Sequence, residues 1–184
     1  LRRQRQMCIR DRLIGDVIYQ IGALQGIAKA AGTSVGYVKP HGALYNHIAN
    51  HERQAMAVIK AIKLIDPSLV LMGLAGTPVL ELAKSEGLQV VGEVFADRGY
   101  TREGLLVSRR EPGAVLHDAA QVARRMLNFV RTGLIAAHDG TEIHIEAQSI
   151  CVHGDSPGAV TMAREIRDLF QAEAINIRAF AGTV

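Results

Sequence analysis

Short, continuous apolar runs alternate along this chain with longer segments of helical periodicity. That alternation most limits what the chain can fold into. Candidate strands at 35–38, 69–74, 88–95, 149–152 and 175–180 are four to eight residues long, and 69–74 is a continuous apolar run, as a strand buried on both faces is. Between them, apolar residues recur at helical spacing over 11–31, 50–63, the segment from Pro78 to Gly87, 118–131 and 157–171. Gly32, Gly87 and Gly133 are plausible stops, Asn50 and Thr77 candidate N-caps, and Ser156 and Pro157 open the last helix. A D-P-S turn sits at 66–68, and a period-two stretch at 141–146 reads as an edge hairpin strand. Repeated strand–helix units imply an α/β fold with a mostly parallel sheet, and a (β/α) barrel is its simplest closure.

Composition narrows the class. At 184 residues and 48% hydrophobic, the chain has material for one core, which must be aliphatic because aromatics are 4% and Trp is absent. No apolar run approaches the roughly 20 residues that span a bilayer, and no secretory pattern opens the chain. Two cysteines, Cys8 and Cys151, make no disulfide framework, so a reducing, cytoplasmic setting is expected. The net charge of +3 does not point to nucleic acid. Residues 1–12 hold five arginines and one aspartate, so the other 172 residues sum to −1. We expect this segment to be a non-native leader, with residues 13–184 forming the folded domain.

Three strands run into charged clusters: Lys39 and His41; Glu93, Asp97 and Arg98; His153 and Asp155. Parallel strands bring such ends to one face, where α/β folds build their sites. The stretch V-K-P-H-G-A-L-Y-N (38–46) is the most informative, because Pro40 ends the strand and Gly42 permits a tight bend. Tyr45 and Asn46 are expected to order that loop. A long connection, about 96–113, carries Arg102, Arg109 and Arg110, and such loops shape sites or interfaces. Structural alternatives stand beside these readings. Glu93 with Arg98, or Asp97 with Arg109, would brace the loop, and Asp155 would cap the last helix. Cys151 reads as a small buried hydrophobe, and His47, His51, His117, His138 and His144 as surface or core residues. There is no G-x-G-x-x-G, G-K-[ST] or H-E-x-x-H.

Four blocks in order, V-K-P-H-G-A-L-Y-N (38–46), E-V-F-A-D-R-G-Y (93–100), G-L-L-V-S-R (104–109) and V-H-G-D (152–155), closely resemble the LamB/YcsF family. That family is similar to the A component of bacterial 5-oxoprolinase. The resemblance runs from about Leu13 to the carboxyl end. Family segments of the D-L-N-C-D-L-G-E, N-I-A-C-G-F-H-A-G-D and G-A-H-P types do not occur here, so we expect an incomplete barrel lacking its first strands, inactive alone and less stable than a complete homologue. The resemblance implies ATP-dependent opening of 5-oxo-L-proline to L-glutamate with partner subunits B and C, without nucleic acid or membrane. Lys39, Arg98, Tyr100 and Arg109 would contact substrate or phosphate. His153, Asp155, Glu93 or Asp97 would serve as base, and His41 as acid, base or metal ligand. Lys39 and Arg98 also count among the catalytic candidates. A divalent metal, in a deacetylase-like hydrolase of the same barrel type, and a non-catalytic binding module are the alternatives.

Overall fold

The computed structural model describes residues 2–154 and 158–180, the first nine of them by backbone alone. The chain divides into two compact units, one running to Gly92 and taking in Phe180, the other Glu93–Ala179.

The first unit contains α1 (Arg2–Ala30), β1 (Tyr37–Val38), α2 (Gly42–Ile48), α3 (Glu52–Ile65), β2 (Val70–Leu74), α4 (Pro78–Ser85) and the start of β3 (Val90–Phe95). β1 pairs parallel with β2, Tyr37 opposite Val70, and Leu71 N–H donates to Gln89 O at 2.9 Å. Val17 and Ile21 of α1 meet Val58, Ile59 and Ile62 of α3 and Leu71, Val79 and Leu80 in one aliphatic core. Burying each such side chain contributes on the order of 1.5–3 kcal/mol. Leu24 and Ile27, read from periodicity as part of the buried face, are 59% and 67% exposed. Gly22 packs on Ile65, and Gln25 Nε2 donates to Asp66 Oδ2, so α3 ends beneath this point of α1.

Pro40 does end the strand, and Gly42 turns the chain at φ +62. The chain then enters a seven-residue helix that periodicity missed, with Leu44, Tyr45 and Ile48 facing inward. The cap of α3 is His51, not Asn50; its Nδ1 accepts from Gln54 N–H at 3.3 Å. Asp66 Oδ1 makes the D-P-S turn by accepting from Ser68 N–H and Oγ–H, bonds that hold its carboxyl below the usual range. Thr77 precedes α4, but its hydroxyl donates back to Leu74 O at 2.6 Å rather than capping.

In the second unit, the end of β3 pairs parallel with β6 (Ser149–Cys151), in register Glu93↔Ser149 and Phe95↔Cys151. Packed together are α5 (Ala119–Thr132) and α6 (Ala159–Ala172). They bury Val122, Met126 and Phe129 from the first and Met162, Ile166 and Phe170 from the second. The period-two stretch becomes β5 (Glu142–His144), antiparallel to β4 (Leu134–Ala136). The α/β class with parallel pairing therefore holds. The expected strand at 175–180 does not form. Ile175 N–H bonds back to Phe170 O at 2.8 Å, Ala174 takes φ +57, and Ile177 is 61% exposed, so the segment closes α6 instead of joining a ladder. Ser156 and Pro157 lie outside the described residues.

Asp118 caps α5 by accepting from Gln121 N–H at 2.8 Å. Asp118→Ala should cost about 1 kcal/mol in urea unfolding, while Asp118→Asn should stay within a few tenths, about the spread among good caps.

Candidate active site

The second unit concentrates its polar chemistry where β3 runs out. Residues 93–98 are all buried, an unusual place for Glu93, Asp97 and Arg98, which are 1%, 1% and 5% exposed. Ionised groups so placed need partners. His153, two residues past β6, supplies one: its Nδ1 lies 2.9 Å from both Oδ1 and Oδ2 of Asp97. Parallel pairing brings the two together, because Phe95 faces Cys151 at the end of the ladder and Asp97 and His153 each follow two residues beyond it. The Phe95 ring stacks on the imidazole, centroids 5.2 Å apart. The His153 side chain is 17% exposed against 1% for Asp97, so the histidine stands between the carboxylate and solvent.

The backbone around Asp97 is held from several directions. Ala96 N–H donates to Cys151 O, and Asp97 O accepts from Leu116 N–H, each at 2.9 Å. Arg125 Nη1 donates to Ala96 O and to Arg98 O, both at 2.9 Å. Its guanidinium lies 5.7 Å from the Tyr100 ring centroid, and burial pushes its pKa below the ordinary value. The Tyr100 hydroxyl accepts from Phe95 N–H at 2.7 Å.

The long connection is braced rather than loose. Arg98 and Val115 form one antiparallel bridge, Tyr100 and Leu106 another. Arg98 Nε donates to Ala114 O and its Nη2 to Val107 O. Burial, then the charge of Arg109, lowers the Arg98 pKa, and Asp97 opposes them. Gly99 runs so close to the returning chain that a Cβ would sit 3.2 Å from Gly113 O. On the exposed side Arg102 pairs with Asp139 at 2.7 Å. The Thr141 N–H and then Arg102 hold the Asp139 carboxyl at about 2.

The predicted residues thus separate by place. Asp97 and His153 form a pair, and Glu93 lies buried two residues before Phe95, near enough to Tyr100 to disfavour its ionisation. Arg98 braces the loop through carbonyls, and Asp97 meets His153 where Arg109 was the expected partner. Tyr100, expected near substrate, is wholly buried with its hydroxyl on Phe95 N–H. Arg109 and Arg110 are exposed, and Cys151 is half-buried and in no disulfide. Lys39 and His41 belong to the first unit. Lys39 Nζ lies 5.8 Å over the buried Tyr45 ring, and His41 is exposed at the start of α2. Asn46 Nδ2 donates to Gly42 O within the short helix α2. Asp155 lies outside the described residues.

Two features escaped the sequence. Arg125 was one; its signal was a cation three residues after Val122 and four before Phe129, on the buried face of α5. The other is His47 and His51, whose rings stack 4.4 Å apart; we expected no H-x-x-x-H pair to argue for a metal, and this spacing, present in the sequence, corrects that expectation. Among the described residues no three His, Cys, Asp or Glu side chains gather as metal ligands, and no helix is long and apolar enough to cross a membrane.

The sequence matches the LamB/YcsF family over residues 2–184. It is 67% identical over 171 residues to the first of the 5-oxoprolinase A subunits of Agrobacterium fabrum, covering 93% of this chain and 67% of the relative. Against the third 5-oxoprolinase A chain of Pseudomonas syringae pv. tomato it is 65% identical, covering 94% and 67%. The crystal structure of the lactam utilization protein from Thermus thermophilus superimposes with a TM-score of 0.87 at 40% identity, over 93% of this chain and 68% of that one.

Tyr100→Phe removes the acceptor of a buried amide and should cost about 1–3 kcal/mol in urea unfolding. Burial pushes the Tyr100 pKa well up. Both folded and unfolded states hold the proton below pH ~10, where a free tyrosine ionises, so this share of stability is intact there. Above it the unfolded state ionises first, and the wild type should lose stability with rising pH more steeply than Tyr100→Phe.

Proposed function

This chain belongs to the LamB/YcsF family, and on that premise we propose that it is component A of an ATP-dependent 5-oxoprolinase, hydrolysing 5-oxo-L-proline to L-glutamate with subunits B and C. The relatives' names support the reaction class, and the Asp97–His153 pair carries the chemistry. A lactam resists water because amide resonance protects its carbonyl. ATP supplies the activation by phosphorylating the lactam oxygen; overall, the lactam, ATP and two waters give glutamate, ADP and phosphate.

The chain's own residues then have definite tasks. With Nδ1 committed to Asp97, His153 exchanges protons through Nε2. It takes a proton from the attacking water, and buried Asp97 compensates the imidazolium that forms. The ring nitrogen of the lactam must gain a proton when the C–N bond breaks, and in this reading the same imidazolium gives it. Glu93 is the second buried acid and the alternative base. Within this unit phosphate charge falls to Arg109, because two nitrogens of Arg98 are directed at backbone carbonyls; Lys39, in the first unit, stays a candidate from its sequence motif. His41 and Asp155 remain candidates for acid, base or metal-ligand roles.

The test is glutamate release from 5-oxoproline by the chain assembled with subunits B and C, with and without ATP. A parallel sample carries a family-type amino-terminal segment in place of residues 1–12. His153→Gln should lower kcat by roughly 10²–10⁴ with folding intact. Turnover that ignores ATP, or a fully active His153→Gln, would overturn the proposal.

A further inference from the structure

We propose that Arg125 is a positioning residue for the Asp97–His153 pair, fixing from α5 the backbone on both sides of Asp97 and so the carboxylate that aims the His153 ring. The inference rests on the reading of that pair as the acid–base unit.

One guanidinium nitrogen, Nη1, donates to the carbonyls of Ala96 and Arg98, the residues immediately before and after Asp97. The intervening carbonyl, that of Asp97, is taken by Leu116 N–H. The peptide planes flanking Asp97 are therefore gripped through carbonyls at three consecutive residues, which leaves little freedom for the direction of its side chain. That side chain is 1% exposed and meets Nδ1 of His153 with both oxygens at 2.9 Å, a contact that a small backbone rotation would unbalance.

Arg125 also acts by charge. Its guanidinium is close enough to Asp97 for their opposite charges to be felt, and it stands over the Tyr100 ring. The titratable and charged neighbours of this cluster are Glu93 on β3, Arg98, Tyr100 and Arg109 on the following loop, and Cys151 on β6. Arg98 directs two nitrogens at Ala114 O and Val107 O, so the grip on the Asp97 backbone comes from Arg125. A helix-borne cation bridging two carbonyls at a strand end does not serve the packing of α5 against α6. That packing rests on apolar residues such as Val122, Met126 and Phe129.

The experiment compares wild type, Arg125→Met, Arg125→Lys and Asp118→Ala. The Asp118 variant loosens the same helix without touching Asp97. Two quantities are read: the proton resonance of the His153 Nδ1–H by NMR, and kcat and KM for ATP-dependent glutamate release by the assembled complex. In Arg125→Met the resonance should move and its hydrogen exchange quicken. There kcat should fall about tenfold or more, in the range for residues that orient a site from behind, with KM within about twofold. Arg125→Lys, which keeps a cation and donors, should recover most of both. An unchanged resonance and kcat in Arg125→Met overturns the proposal, as does Asp118→Ala reproducing both changes. Should Arg125→Met not fold, Arg125→Gln, which removes the charge but keeps a donor, decides: a shifted resonance with reduced kcat, largely restored in Arg125→Lys, supports positioning, and wild-type values for both in Arg125→Gln overturn it. A fully active His153→Gln would sink the acid–base reading instead, while the resonance would still judge whether Arg125 positions His153.

Discussion

A carboxylate buried to 1% exposure is the constraint on which the second unit depends. Asp97 cannot be left ionised in such a place without partners, and removing one partner of a buried pair typically costs about 3–5 kcal/mol. The surrounding structure is arranged accordingly. His153 binds the carboxylate directly, Arg125 brings a counter-charge while holding the adjacent carbonyls, and Arg98 adds a second cation next in sequence. None of these partners comes from β3 itself. They arrive from a neighbouring strand end, a helix and the long loop, so the carboxylate is settled only when all three elements are in place. Local order at the site is in that sense a reporter of the whole unit's folding.

The long loop follows from the same requirement. Connections of this length without regular structure are uncommon in compact domains. This one is kept in shape by two antiparallel bridges, by Arg98 reaching the carbonyls of Val107 and Ala114, and by a close pass of Gly99 against Gly113. Tyr100 completes it by satisfying Phe95 N–H, an amide at the end of β3 that would otherwise be buried without an acceptor. A residue type that looks like a ligand-binding group in sequence is here used to close a backbone hydrogen bond.

That substitution of roles marks the boundary of what could be read beforehand. Alternating apolar runs identified β2 and β3 within two residues, because buried strands and amphipathic helices are each local patterns. Strand-end position singled out Asp97 and His153 for a related reason: parallel pairing is implied by the alternation, and it carries the polar residues after each strand with it. Arg98 was misplaced because its partners are carbonyls 9 and 16 residues away, and no sequence pattern specifies a carbonyl. Arg125 was missed for the same cause. The segment 175–180 reads as a strand by composition, yet a strand exists only where a ladder accepts it, and here the backbone turned back onto α6 first. α2 fell below notice because seven residues hold too few apolar positions to establish a period.

The distribution of donors also bears on how the chemistry is divided. Around Tyr100 the interior holds two acids, Glu93 and Asp97, and two guanidinium groups, those of Arg98 and Arg125. Acids and cations thus lie within electrostatic reach of one another in this cluster. Such a cluster suits proton exchange, where a group must be stable with and without its proton. It does not suit phosphate, which requires uncompensated cations with donors turned toward the ligand. Arg109 is exposed on the long loop, and its charge is felt by Arg98. Any anion-binding role would therefore fall outside the buried cluster, whose members come from β3, the long loop, α5 and the end of β6.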